Sequence, residues 1–233
     1  MKAFLTAEWR MLAMLNWEVD PALVKPYVPR GTGLDFHEGR TFVSVVGFLF
    51  RDTRLLGVPM PFHRTFEEVN LSFYVKRGDR RAVTFIREIV PRQAIATVAR
   101  WAYNEPYVAL PMKHWIDARS ASYSWRHRGD WIDLAVRGEG APAVPGDGSL
   151  EQFIAEHYRG YCAQRDGGTI EYRVEHPPWR VWRAVESQLG AGAAAFYPPE
   201  FASTLSRSPD SAFLAEGSAV TVYRPGACPA RSS

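Results

Sequence analysis

Residues 86–117, IREIVPRQAIATVARWAYNEPYVALPMKHWID, read as strand, helix, tight turn and strand. Val83, Phe85, Ile86, Ile89 and Val90 give residues 82–90 the composition of a strand. Pro91 suits the first position of a helix, where its fixed φ fits and its missing N–H costs nothing. Ile95, Val98, Ala99 and Ala102 then recur at helical spacing, which predicts a helix over 91–103. Asn104-Glu105-Pro106 ends it, because the residue before a proline is pushed out of the helical region. From Tyr107 the chain is extended again. An unbroken strand there puts Tyr107, Lys113 and Asp117 on one face.

Working outward, residues 9–19 form a strand apolar on both faces, with Trp9, Met11, Ala13, Leu15 and Trp17 on one and Leu12 and Met14 on the other. Arg10 shares the face of Leu12 and Met14. It is either a buried charge that needs a partner or a side chain at the strand mouth with its head in water. Asp20-Pro21 is a helix start. Residues 41–50, TFVSVVGFLF, are a second strand apolar on both faces, with Gly47 marking a bulge or a close approach. Residues 66–75, FEEVNLSFYV, alternate: Val69, Leu71, Phe73 and Val75 face one way, Glu68, Asn70, Ser72 and Tyr74 the other. That polar face either meets water or lines a cavity. Strands at 120–125 and 131–136 flank a turn at Gly129-Asp130. Residues 138–148 read as a surface loop, and Ser149-Leu150-Glu151-Gln152 as a capping box opening a helix. Strands at 169–174 and 220–223 follow, with an extended run to Val185 between them, in an otherwise loop-rich last third.

At 233 residues, one large β-rich domain is as plausible as two small ones; with residues 138–148 read as a loop and not a linker, a single domain over 1–233 is expected. A net charge of +3 with scattered basic residues argues against nucleic acid. Arginine outnumbers lysine 24 to 4, so candidates for amine chemistry are few. Cys162 and Cys228 make neither a metal motif nor a disulfide framework. Without a signal peptide or a run of ~18 apolar residues, the expected location is the cytoplasm, with no membrane contact. The six histidines form no metal-binding pair, and no phosphate or dinucleotide motif is present, so neither metal nor cofactor is expected. His176, beside Trp179, is either a pocket acid or base or a structural turn residue. Tyr107 is either a packed residue or a pocket donor.

Several stretches together resemble the YqjF-like family of uncharacterised bacterial proteins. They are Trp9-Arg10 with Asp20-Pro21, the Glu68–Asn70–Tyr74–Val75 strand, Ala99-Arg100 before Pro106-Tyr107, FIAEHY at 153–158 and His176-Pro177-Pro178-Trp179. The family is assigned to the acetoacetate decarboxylase-like superfamily. The resemblance implies a mainly β (α+β) fold, an antiparallel β-barrel with a few peripheral helices and a central pocket. It also implies that Arg10 and Glu68 occupy positions of a pocket arginine and glutamate. The decarboxylase forms a Schiff base on one of two lysines that follow a motif proline. Here Tyr107 and Val108 follow Pro106, so the resemblance implies a pocket without that lysine pair. Members often carry an arginine where this chain has Ser72.

These readings give a small-molecule binder with a polar pocket lined by Arg10, Glu68, Asn70, Tyr107, Lys113 and His176. The alternative is an enzyme acting on a small carbonyl or carboxylate compound. Arg10 and Glu68 are expected to pair in the cavity. Lys113 is the one lysine inside an apolar strand. It is expected to line the pocket without forming an imine, unless Asp117 pairs with it or its ammonium reaches water.

Overall fold

The computed structural model describes residues 3–97 and 104–228. Its strands are β1 Ala3–Val19, β2 Gly33–Leu34, β3 Thr41–Leu55, β4 Val58–Pro59, β5 Phe66–Arg77, β6 Arg80–Val90, β7 Tyr107–Ala109 and β8 Met112–Asp117. They continue with β9 Ser120–His127, β10 Asp130–Ala143, β11 Arg159–Ala163, β12 Thr169–Glu175, β13 Val181–Leu189, β14 Ser211–Tyr223 and β15 Gly226–Ala227. All belong to one sheet, in the order β15-β12-β11-β6-β5-β3-β1-β14-β13-β10-β9-β8 along its main path. β12 also pairs with β14, at Val174–Val222 and Glu175–Thr221. The pairings therefore close a circuit through β14, β1, β3, β5, β6, β11 and β12. The ladders are antiparallel except where β6 meets β11 and β7. The β6–β7 pair is parallel because the segment between them crosses over, as parallel neighbours require. Residues 93–97 of that segment are helical, with Ile95 and Ala96 buried. Pro91 precedes this helix rather than opening it. The expected continuation over 98–103, with Val98, Ala99, Arg100 and Ala102, lies outside the described residues.

Two apolar cores lie on opposite faces of β1, β3 and β5. One holds Leu15, Trp17, Val45, Leu71 and Phe73 against Tyr123, Trp125 and Leu134 of β9–β10 and Phe196 and Phe201 of the short helices after β13. Gly47 is required here, since a Cβ would lie 2.7 Å from both Leu134 Cδ2 and Tyr123 Cδ2. The other core, inside the circuit, contains Leu12, Met14, Phe48, Phe50 and Phe66, with Phe153 and Ile154 of the helix Leu150–Ala155. Both expected caps form: Asp20 accepts from Ala22 N–H and Ser149 from Gln152 N–H.

The last third is more regular than its composition suggests. Residues 138–143, expected as loop, extend β10, because Gly138 lets it pass Trp182, where a Cβ would lie 2.4 Å from Trp182 Cβ. β11 gives no periodic signal, and β14 begins nine residues before the expected strand at Val220, at Ser211.

Two irregularities decide which side chains point into the circuit. Met11 has φ 54°, and β1 gains a residue relative to β3 between Arg10 and Ala13. The alternation changes phase there, so Trp9 joins Leu12 and Met14 on the inner side. Tyr123 Oη donates to the Met11 carbonyl at 2.8 Å. In β6, Leu71 and Ser72 of β5 face Arg87 and Phe85, which leaves Ile86 as the extra residue. Arg87 consequently turns outward, over the Phe196 ring, and Glu88 turns in.

Candidate active site

The circuit encloses a cavity of about 180 Å3. Its wall is mostly apolar, from Trp9, Phe48, Phe50, Phe66 and Phe85, and all seven circuit strands contribute to it. The polar face of β5 turns into this space rather than to water: Glu68, Asn70, Ser72 and Tyr74 all line it and are all buried. Ser44 Oγ joins Tyr74 Oη at 2.5 Å and donates to Asn16 Oδ1 at 2.7 Å, so the Tyr74 hydroxyl is anchored from behind.

Three carboxyl groups meet in the cavity. Glu68 is on β5, Glu88 on β6 and Glu105 just before Pro106; their exposures are 4%, 1% and 6%. Asn70 and Glu88 are cross-strand partners, and the Glu88 N–H donates to the Pro106 carbonyl, which brings the three elements together. Tyr107 Oη donates to Glu68 Oε2 at 3.2 Å, Asn70 Nδ2 to Glu68 Oε1 at 3.4 Å, and Tyr172 Oη to Glu105 Oε1 at 2.6 Å. Burial disfavours the charged form of each acid, and repulsion from the other carboxyls adds to it for Glu68 and Glu88. Glu68 is pushed up to about 8, by burial and then by Glu105. Glu105 rises to about 7 through burial, against the Tyr172 hydrogen bond. Glu88 rises well above the usual carboxylate range through burial, Glu105 and Glu68. Arg159 also lines the cavity, but its guanidinium lies 2.5 Å from Glu171.

A second polar group lies on the same wall. The His157 ring stacks on Tyr74 with centroids 4.6 Å apart, and burial lowers its pKa to about 3. His176 stacks on Trp179 at 4.1 Å, with Nδ1 2.9 Å from the Pro177 carbonyl, and burial lowers its pKa too.

Of the side chains expected in the pocket, Glu68, Asn70, Tyr107 and His176 line it. Arg10 does not. The bulge at Met11 turns it to the opposite side, where it bonds Glu8 Oε2 at 3.2 Å and the Gly217 carbonyl at 3.4 Å, so the expected Arg10–Glu68 pair is not formed. Lys113 does not line it either. The chain breaks at Leu110-Pro111, so Tyr107 belongs to β7 beside β6, while Lys113 belongs to β8 at the far edge of the sheet. Its ammonium is exposed, 4.4 Å from the centre of the Trp131 ring. Among the described residues no lysine lines the cavity and no cluster is fit to hold a metal.

Glu88, Glu105, Tyr172, His157 and Trp9 complete the site beyond the sequence reading. Glu88 carried a weak signal, a carboxylate directly before the apolar pair Ile89-Val90 in a strand-like run. Glu105 carried none, since it reads as part of a helix terminator.

The mostly-sheet architecture has the fold of solved acetoacetate decarboxylase-like proteins. Acetoacetate decarboxylase from Legionella pneumophila superposes with a TM-score of 0.70 at 12% identity, over 98% of this chain and 88% of that one. The enduracididine biosynthesis enzyme MppR, complexed with the condensation product of pyruvate and imidazole 4-carboxaldehyde, gives 0.69 at 10% identity, over 100% and 92%. Residues 6–219 match the profile of DUF2071, described as an uncharacterized conserved protein, and the chain belongs to that family. The uncharacterized protein YqjF of Bacillus subtilis (strain 168) is 26% identical over 180 residues, 76% of this chain and 74% of that protein.

Proposed function

We propose that this protein binds a small organic molecule in the cavity between Glu68, Glu88, Glu105 and Trp9, as a single-domain cytoplasmic protein that uses neither membrane nor nucleic acid. It does so without a lysine imine. The observation that carries the reading is a cavity of molecular size lined by three buried carboxyl groups and by a mostly apolar, partly aromatic wall. Buried acids left without a cationic partner cost stability, and a binding site is where such a cost is commonly retained. Native mass spectrometry of gently purified protein, compared with Glu68→Gln/Glu88→Gln protein, tests this. A discrete adduct lost in the variant supports the reading. A ligand that maps elsewhere contradicts it.

A second reading has a specific observation in its favour. Glu105 at about 7 and Glu68 at about 8 lie where an acid and a base exchange protons efficiently at neutral pH. In this reading the protein catalyses proton transfer on a small carbonyl or carboxylate compound, with Tyr107 and Tyr172 orienting the two carboxyls. Deuterium exchange at carbon next to the carbonyl of added pyruvate, abolished by Glu105→Gln, favours it over binding alone.

A further inference from the structure

Resting on the small-molecule reading, the geometry points to a small organic cation, a primary ammonium or amidinium on an apolar body, as the molecule the cavity takes. The ionisable groups facing the site are one-sided, and a cation bound beside them would draw them into their charged form. Three carboxyls face the space, and the one guanidinium found on its wall among the described residues is committed to Glu171. An anion would meet those carboxyls at close range.

The unfilled hydrogen-bonding capacity is an independent observation. Five buried side-chain atoms on the cavity wall have no partner: Asn70 Oδ1, Glu88 Oε2, His157 Nε2, Thr53 Oγ1 and Trp9 Nε1. Asn70 gives its N–H to Glu68, so the free atom is its carbonyl oxygen. His157 Nδ1 lies 3.2 Å from the Ile154 carbonyl and so carries the proton, which leaves Nε2 as a bare lone pair. Glu88 Oε2 becomes an acceptor once Glu88 ionises, which a cation beside it would favour. The deficit is therefore mainly one of donors. An ammonium supplies three and an amidinium four, in a fan that suits the adjacent Glu68, Asn70 and Glu88. A neutral carbonyl compound would bring further lone pairs. Trp9, Phe48 and Phe50 in the lining complete the match, because an aromatic wall favours a cation and its apolar body together.

Three ligands of one shape separate the possibilities: benzamidine, benzamide and benzoate, titrated into the full chain by calorimetry. A charge-assisted hydrogen bond is worth about 1.5–3 kcal/mol, so benzamidine is expected to bind roughly tenfold or more tighter than benzamide, with benzoate weakest. Glu68→Gln and Glu88→Gln, each checked for an unchanged fold by circular dichroism, are each expected to weaken benzamidine about tenfold. Lys113→Ala is expected to leave it unchanged. Benzamide or benzoate binding as tightly as benzamidine would overturn the cation while sparing the small-molecule reading. So would benzamidine binding that both glutamine variants leave intact. No binding of any of the three overturns the cation as well, and the adduct seen or not seen in native mass spectrometry then decides the broader reading separately.

Discussion

Glu68 shows how a single residue sets the behaviour of the site. Between pH 4.5 and about 8 the folded protein keeps a proton on Glu68 that the unfolded chain has released. Unfolding therefore releases a proton, and rising pH favours unfolding across that window. His157 works in the opposite sense, since the unfolded chain takes up a proton between pH 6.5 and about 3 that the folded ring refuses. Above pH 6.5 the histidine contribution fades, so the acids dominate from about pH 7 to about pH 8. In that range urea unfolding should show stability falling as pH rises, and Glu68→Gln should flatten the fall. A wild-type curve that rises there would mean Glu68 is charged and satisfied in the folded state. Lys113 illustrates the opposite outcome at the same scale. It was legible as a lysine in an apolar strand, yet its surroundings are the exposed Trp131 ring and solvent.

At the scale of elements, most of the site was legible where a strand alternates without interruption. The polar face of β5 could be read from residues 66–75 alone, and only its destination, cavity or water, required the neighbours. What could not be read was the phase change in β1 and β6. A bulge adds one residue and flips every side chain beyond it, and neither Arg10-Met11-Leu12 nor Phe85-Ile86-Arg87 contains the glycine that usually announces one. A glycine does stand beside the first bulge, on β1's other neighbour, β14. Gly217, opposite Arg10, has φ 77°, and a Cβ there would lie 2.0 Å from the Trp9 carbonyl oxygen. Gly217→Ala should therefore destabilise by at least about 2 kcal/mol, combining backbone strain with the clash. Gly47→Ala, where the obstructing atoms are side chains, should cost ~1–3 kcal/mol. Denaturant midpoints check both; a neutral Gly217→Ala would show that the close approach of Gly217 to Trp9 is not needed.

For the whole molecule, the ring of strands holds a cavity lined by three buried carboxyls and, among the described residues, by no lysine. Among the described residues, Lys25 and Lys113 are exposed and Lys76 lies 3.8 Å from Asp35. Borohydride reduction in the presence of acetoacetate or pyruvate should accordingly leave the mass of the chain unchanged; a reduced adduct on any lysine would restore the imine reading. The cavity instead depends on acids held largely without positive charge. The measurement that addresses this most directly is a carbon-detected NMR titration of protein labelled at the glutamate side-chain carboxyl, with Glu68→Gln, Glu88→Gln and Glu105→Gln used for assignment. The account predicts that the Glu105 and Glu68 resonances titrate near 7 and 8 and that Glu88 stays protonated well beyond the usual carboxylate range. All three titrating together near pH 4.5, as ordinary exposed glutamates do, would contradict it.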